Sequence, residues 1–197
     1  MMRAMRRRWV ILIVAAIAVV GLLIGGRAWV RGQEYVTHGS TSRVPLQARV
    51  VEDEDAAPDE PQELAVVPYR DGARVVYGLS LRNDGPLSVE VTEVARLERP
   101  DESFFLFRPV EVRMGEQSEP GTDAPEPFRP FTLEPDEERY LEVVGVLEDC
   151  EHYTPGSSTL ISAQFVDFEV LGQSLEAEVE LPTTIEFRYA RRTQCPR

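Results

Sequence analysis

Lysine is absent from this 197-residue chain, whose 21 basic side chains are all arginine, and asparagine occurs once, at Asn83. That bias is what a GC-rich bacterial genome produces. Histidine is confined to His38 and His152 and cysteine to Cys150 and Cys195, with no CxxC pair, so Cys150-Glu151-His152 is the one stretch that invites a metal or redox site, a weaker reading than a disulfide between the two cysteines. Beyond the N-terminal region the only methionine is Met114, too few soft ligands for a copper carrier. No G-x-S-x-G and no phosphate-cradling glycine loop occurs, and Gly72 and Gly78 fall in turn or strand contexts. Ser157 and Ser158 lie near His152, but nothing visible orients that base, and the serines read as part of the turn from Pro155. Acids are so abundant that no chosen pair of carboxylates is informative. No catalytic, cofactor-binding or metal-ligating residue is therefore assigned, and the chain is not expected to be an enzyme.

Against these absences stands one long apolar run. Trp9 to Gly26 is eighteen uncharged residues, preceded by Arg6, Arg7 and Arg8 and followed by Arg27. As a helix it is about 27 Å long, close to the roughly 30 Å of a bilayer core. Four arginines precede it and Arg27 and Arg31 follow, which predicts a cytoplasmic N-terminus and an exported remainder in a single-pass cell-membrane protein. The competing reading is a cleaved secretory signal, but the run is long for one and Arg27 spoils a small-x-small cleavage site. Arg7-Arg8 also fits a twin-arginine signal, a pairing that basic N-terminal regions make by chance. Gly21 and Gly25 form one GxxxG, which permits close approach of two such helices in a homodimer, though glycine is common in membrane helices.

The charge is divided. Residues 1–31 carry six arginines and no acid, whereas the remainder carries all 34 acids. An exported part this acidic disfavours nucleic acid and anionic head groups. In an oxidising compartment the two cysteines read as a disulfide, Cys150 to Cys195, closing a loop that contributes about 4 kcal/mol in the chain-entropy model.

Four regions follow from the pattern: a basic cytoplasmic tail (1–8), the transmembrane helix (9–26), an acidic flexible stalk (27–63) and an exported domain (64–197). The stalk is expected because residues 51–64 pack seven acids and two prolines into fourteen positions, a composition that cannot bury enough apolar surface to offset chain entropy. Within it Leu46 to Val51 is a candidate edge strand. An acidic run also invites a calcium reading, but no turn-forming glycine fixes a loop there.

The exported domain reads as strands. Ala65 to Tyr69 is the first, and Val75, Tyr77, Leu79 and Leu81 alternate on a second. Asn83-Asp84-Gly85-Pro86 is a turn, and Ser88 to Leu97 follows with a shift of frame that marks a bulge, so the two runs are expected to form a hairpin. Ser103 to Met114 is phenylalanine-rich and expected in the core. Gly115 to Pro130, with four prolines and two glycines, is a long loop. Arg139 to Leu147 and Thr159 to Val170 are apolar on both faces, as central strands are. Leu175, Ala177, Val179 and Leu181 alternate with Glu176, Glu178 and Glu180, Pro182 interrupts, and Thr184 to Tyr189 is the last strand.

This predicts an all-β, antiparallel immunoglobulin-like sandwich of seven to nine strands preceded by one transmembrane helix. Val75 to Val94, VVYGLSLRNDGPLSVEVTEV, and Phe131 to Val146, FTLEPDEERYLEVVGV, resemble the corresponding units of bacterial immunoglobulin-like domains of the cell-adhesion-related and Hydin-like types. Asp136 stands where those families usually carry glycine. The resemblance implies the fold and a tendency toward binding or scaffolding and transfers no functional residue. With the topology and the missing chemistry, the expectation is a binding or scaffolding module of the cell envelope with a protein partner and no cofactor. The alternative is an envelope enzyme or small-ligand or metal carrier built on the 115–130 loop or the His152 region.

Overall fold

The computed structural model describes residues 25–26, 28–52, 63–95, 107–115, 126–148 and 156–189. The chain divides into two compact units, residues 1–34 and Tyr35–Arg197. In the first, residues 28–31 are helical and the helix closes where the Gly32 N–H donates to the carbonyls of Ala28 and Trp29 at 3.2 and 3.1 Å. Of the expected span 9–26 only Gly25 and Gly26 are described, and both are helical; among the described residues no helix is long and apolar enough to cross a membrane.

The second unit is all β. One sheet has five strands in the order β1 (Val36–Arg43), β4 (Arg74–Asn83), β9 (Glu138–Leu147), β6 (Phe107–Met114) and β7 (Glu126–Pro127). The other has six, in the order β2 (Arg49–Glu52), β3 (Glu63–Pro68), β11 (Gln173–Arg188), β10 (Ser158–Val170), β5 (Val89–Val94) and β8 (Phe131–Leu133). The inward faces follow from period-two burial: Val75, Tyr77, Leu79 and Leu81 on β4 meet Val166, Phe168 and Val170 on β10 and Ile185 and Phe187 on β11, all at most 3 % exposed. Aromatic rings join the sheets where Phe107 stacks on Phe187 at 5.5 Å, with Tyr77 of the same sheet tilted against Phe107 at 5.7 Å. The Tyr77 hydroxyl meets the Gln164 carboxamide across this core, and burial pushes the phenol well above its ordinary range.

Several expectations are corrected. The described residues alone form eleven strands where seven to nine were expected, and the sheets are not wholly antiparallel, because β3 runs parallel to β11. The unit starts at Tyr35 rather than residue 64, since Val36–Arg43, assigned to the stalk, pairs with β4. Its sequence, VTHGSTSR, has no apolar alternation because polar groups hold it. Gly39, Ser40 and Thr41 bulge opposite Ser80 alone, where Thr41 N–H donates to Ser80 Oγ and Ser80 Oγ to Thr41 O, both at 2.9 Å. The edge strand expected near Leu46 to Val51 is present as β2. The acidic residues 53–62 lie outside the described residues.

The expected hairpin does not form: β4 pairs with β1 and β9, whereas β5 pairs with β10 and β8 in the opposite sheet. Asn83, fully buried, makes the corner. Its amide nitrogen donates to the carbonyls of Leu87 and Leu133, each at 2.9 Å, and its side-chain oxygen accepts from Gly85 N–H at 2.9 Å. Pro86 offers no N–H to continue a ladder. The frame shift is a bulge at Thr92, which lets Val89, Val91 and Val94 all point inward. Pro182 does not end a strand but sits in an irregularity of β11, where Leu181 to Thr184 stand opposite Ser162 alone.

Candidate interaction surface

The residues singled out by sequence divide into those the structure describes and those it does not. Cys150, Cys195 and His152 lie outside the described residues, as do 116–125 of the long loop and Phe104 and Phe105. The end of that loop is ordered against the unit. Phe128 N–H donates to Val112 O at 2.9 Å, its ring lies edge-on to Phe131 at 6.0 Å, and the Arg139 guanidinium covers Phe131 at 5.3 Å. Among the described residues no group of three or more His, Cys, Asp or Glu side chains is placed to hold a metal ion.

His38 was expected in a linker and instead stands on β1. Its neighbour Ser40 is committed to Glu138, whose Oε1 accepts the Ser40 N–H at 2.8 Å and the Ser40 hydroxyl at 2.9 Å. His38 Nε2 is buried and has no hydrogen-bond partner. Serine, base and carboxylate are thus close in the chain fold but not linked in a relay, which requires a bond between nucleophile and base. Burial holds the His38 imidazole below its ordinary 6.5, with the Glu138 charge opposing the shift. The neutral ring therefore stabilises the fold fully above about pH 6.5, and that contribution is lost as pH falls through the folded value. We expect denaturation midpoints of the wild type to decline more between pH 7.5 and 5.5 than those of His38→Gln; parallel declines would show that His38 does not titrate with folding.

The two outer faces differ. On the five-stranded sheet arginines and acids pair: across strands Arg43 with Glu142 at 3.3 Å and Arg74 with Glu111 at 2.7 Å, along β6 Arg113 with Glu111 at 2.7 Å, and at the turns Arg82 with Asp84 at 2.9 Å and Asp136 at 3.1 Å. These pairs neutralise one another. Alternation on the six-stranded sheet places Glu169, Glu178 and Glu180 outward on the β10–β11 half, with Glu90 directly opposite Glu169 on β5. The other end of β11 carries arginine. There a shallow depression of about 620 Å³ is lined by Arg49, Val66, Pro68, Glu186, Arg188 and Tyr189. Glu186, 5 % exposed, grips Arg188 in a fork, Nε to Oε1 at 3.0 Å and Nη2 to Oε2 at 2.6 Å. That fork fixes the Arg188 guanidinium beside the apolar floor of Val66 and Pro68. A second cavity, of about 10 Å³ beside Tyr77 and Pro182, has room for no more than a water.

At the far end of β10 and β11 the hairpin turns through Leu171 and Gly172, with φ of 50° and 71°. Two successive positive φ angles make the turn type that favours Asn-Gly. A leucine there is strained, and Leu171 is also 76 % exposed. The apolar alternation stops at Val170 and resumes at Leu175, and Leu171-Gly172 between them is not a pair that announces this turn type.

No family model matches the chain, and no curated protein does. Among solved structures the chain has weak likenesses to a Vibrio cholerae VesB protease, at 14% identity and TM-score 0.34 over 71% of this chain and 31% of that one, and to a Vibrio harveyi GH20 exo-β-N-acetylglucosaminidase, at 16% identity and TM-score 0.25 over 67% of this chain and 19% of that one. The chain thus spans less than a third of either protein, and the overlap carries no argument about its fold or activity.

Proposed function

We propose that this protein is a membrane-anchored, extracytoplasmic binding or scaffolding module of the cell envelope, with an immunoglobulin-like sandwich as the bound unit. The observation that supports it best is the depression of Arg49, Val66, Pro68, Glu186 and Arg188 on the six-stranded sheet: it is open, apolar at its floor and polar at its rim, where the Arg188–Glu186 pair leaves Arg49 as the net positive charge. A surface of that kind receives a side chain of another macromolecule better than it encloses a small metabolite, which needs a cleft that buries most of its area. The uncharged run Trp9 to Gly26 and the arginines before it support the anchor and the orientation. The disulfide between Cys150 and Cys195 belongs to the same reading, because the exported compartment is oxidising.

The test uses the full chain in its native envelope. A photoreactive benzoylphenylalanine at Val66 is expected to give a discrete adduct with protein in the membrane fraction, and the same probe at Val76, on the opposite sheet, is expected not to. Recovery of the uncleaved chain in the soluble fraction, or no adduct at Val66, would overturn the proposal.

A further inference from the structure

The binding reading leaves the partner open, and two features at opposite ends of one strand bear on it. Leu171 closes one end of β11, and the arginine-rimmed depression lies beside the other, about 45 Å away along the strand. The leucine is unusual in two independent ways. Its side chain is 76 % exposed, and its backbone sits in a left-handed conformation that asparagine or glycine would adopt at less cost. Folding alone would not favour leucine there. Glu169 stands two residues before it, opposite Ser174, with Glu90 beside it on β5, so the apolar tip carries an acidic skirt.

The depression has the complementary composition. Val66 and Pro68 give it an apolar floor, and Arg49 with the Arg188–Glu186 pair gives its rim a net single positive charge. We propose that the partner is a second copy of this chain, with Leu171 of one copy seated in the depression between Arg49 and Arg188 of the next. An acidic skirt disfavours an anionic lipid surface as the occupant and matches the net positive rim at Arg49. Because the two patches differ and lie far apart on one molecule, the contact is heterologous: each copy keeps a free tip and a free depression, and assembly continues beyond two unless it closes into a ring.

This inference rests on the binding reading and is tested separately from it. Full-length chain carrying benzoylphenylalanine at position 171, unlabelled, is mixed in detergent micelles with ¹⁵N-labelled wild type and irradiated. Adducts joining residue 171 of the light chain to a heavy peptide spanning residues 49–68 or 186–189 are expected. Weight-average mass by light scattering is expected to rise with concentration past that of a dimer. Leu171→Asn should weaken self-association by about tenfold or more, since it removes a buried leucine side chain, while raising the melting temperature through relief of the turn. Arg49→Glu should also weaken it, and mixing Arg49→Glu with Glu169→Arg should restore adduct formation. Heavy adducts elsewhere, or association unchanged by Leu171→Asn, would overturn the proposal. A Val66 adduct to a different protein in the envelope, with no light-to-heavy adduct here, would overturn self-association and leave the binding reading standing.

Discussion

Asn83→Asp is expected to destabilise the β unit by about 3–5 kcal/mol at neutral pH, a large part of the roughly 5–15 kcal/mol that holds a typical domain folded. The substitution conserves shape, so the effect isolates chemistry. The side-chain oxygen that accepts from Gly85 N–H survives, but the nitrogen that donates to both Leu87 O and Leu133 O becomes an oxygen facing two carbonyls. A carboxylate at a fully buried position also loses its hydration. Burial and those carbonyls favour the protonated form, so the new carboxyl would titrate higher in the fold than in the unfolded chain. Its destabilising effect is therefore smallest at acid pH and grows as pH rises through the folded value. Urea denaturation of wild type and variant at pH 4.5 and pH 7.5 checks both parts. A deficit below about 1 kcal/mol at pH 7.5, or one that shrinks with rising pH, would show that Asn83 is not the lock between the sheets.

Phe187→Ala is expected to cost about 3–5 kcal/mol, the usual range for emptying a buried aromatic site. Phe187 is fully buried and stacks on Phe107 with an interplanar angle of 7°, so its ring is the aromatic part of β11 that packs against the other sheet, beside Ile185. Deleting it leaves a void that Phe107 and Tyr77 cannot close without abandoning their own partners, because the sheets on either side are fixed by their ladders. By calorimetry the unit should melt roughly 6–20 °C lower. Phe187→Leu, which refills most of the volume, should lose much less. Equal losses for the two variants would mean that the aromatic stack, rather than the filled volume, is what β11 contributes.

The sequence was legible wherever burial repeats every second residue. Val75, Tyr77, Leu79 and Leu81 reveal β4 because one face of that strand is core and the other is not. Leu175 to Leu181 reveals the first half of β11 for the same reason. Phe107, expected in the core, is there at 3 % exposure. Asp136 stands at φ 65°, which aspartate tolerates better than most side chains. What failed was anything held by polar contacts. β1 has no alternation to read, since Ser80 and Glu138 stitch its bulge from neighbouring strands; Glu138 is 98 residues from Ser40 in the chain.

The candidate surface was hidden for a related reason. Arg49, Val66 and Arg188 come from three separate strands, and only the parallel pairing of β3 with β11 and the antiparallel pairing of β2 with β3 brings them together. Leu171 looked like any apolar residue at a strand end until its φ angle and exposure were known. The sequence by itself determined the all-β class, the places where most strands run and the turn at Asn83, because these depend on local dihedral preference and on which side of a strand meets water. Tertiary structure decided which strands pair, that Asn83 turns the chain into the opposite sheet instead of back along its own, and that β1 belongs to the folded unit. Those outcomes depend on hydrogen bonds between residues distant in the chain, and nothing local to the sequence encodes them.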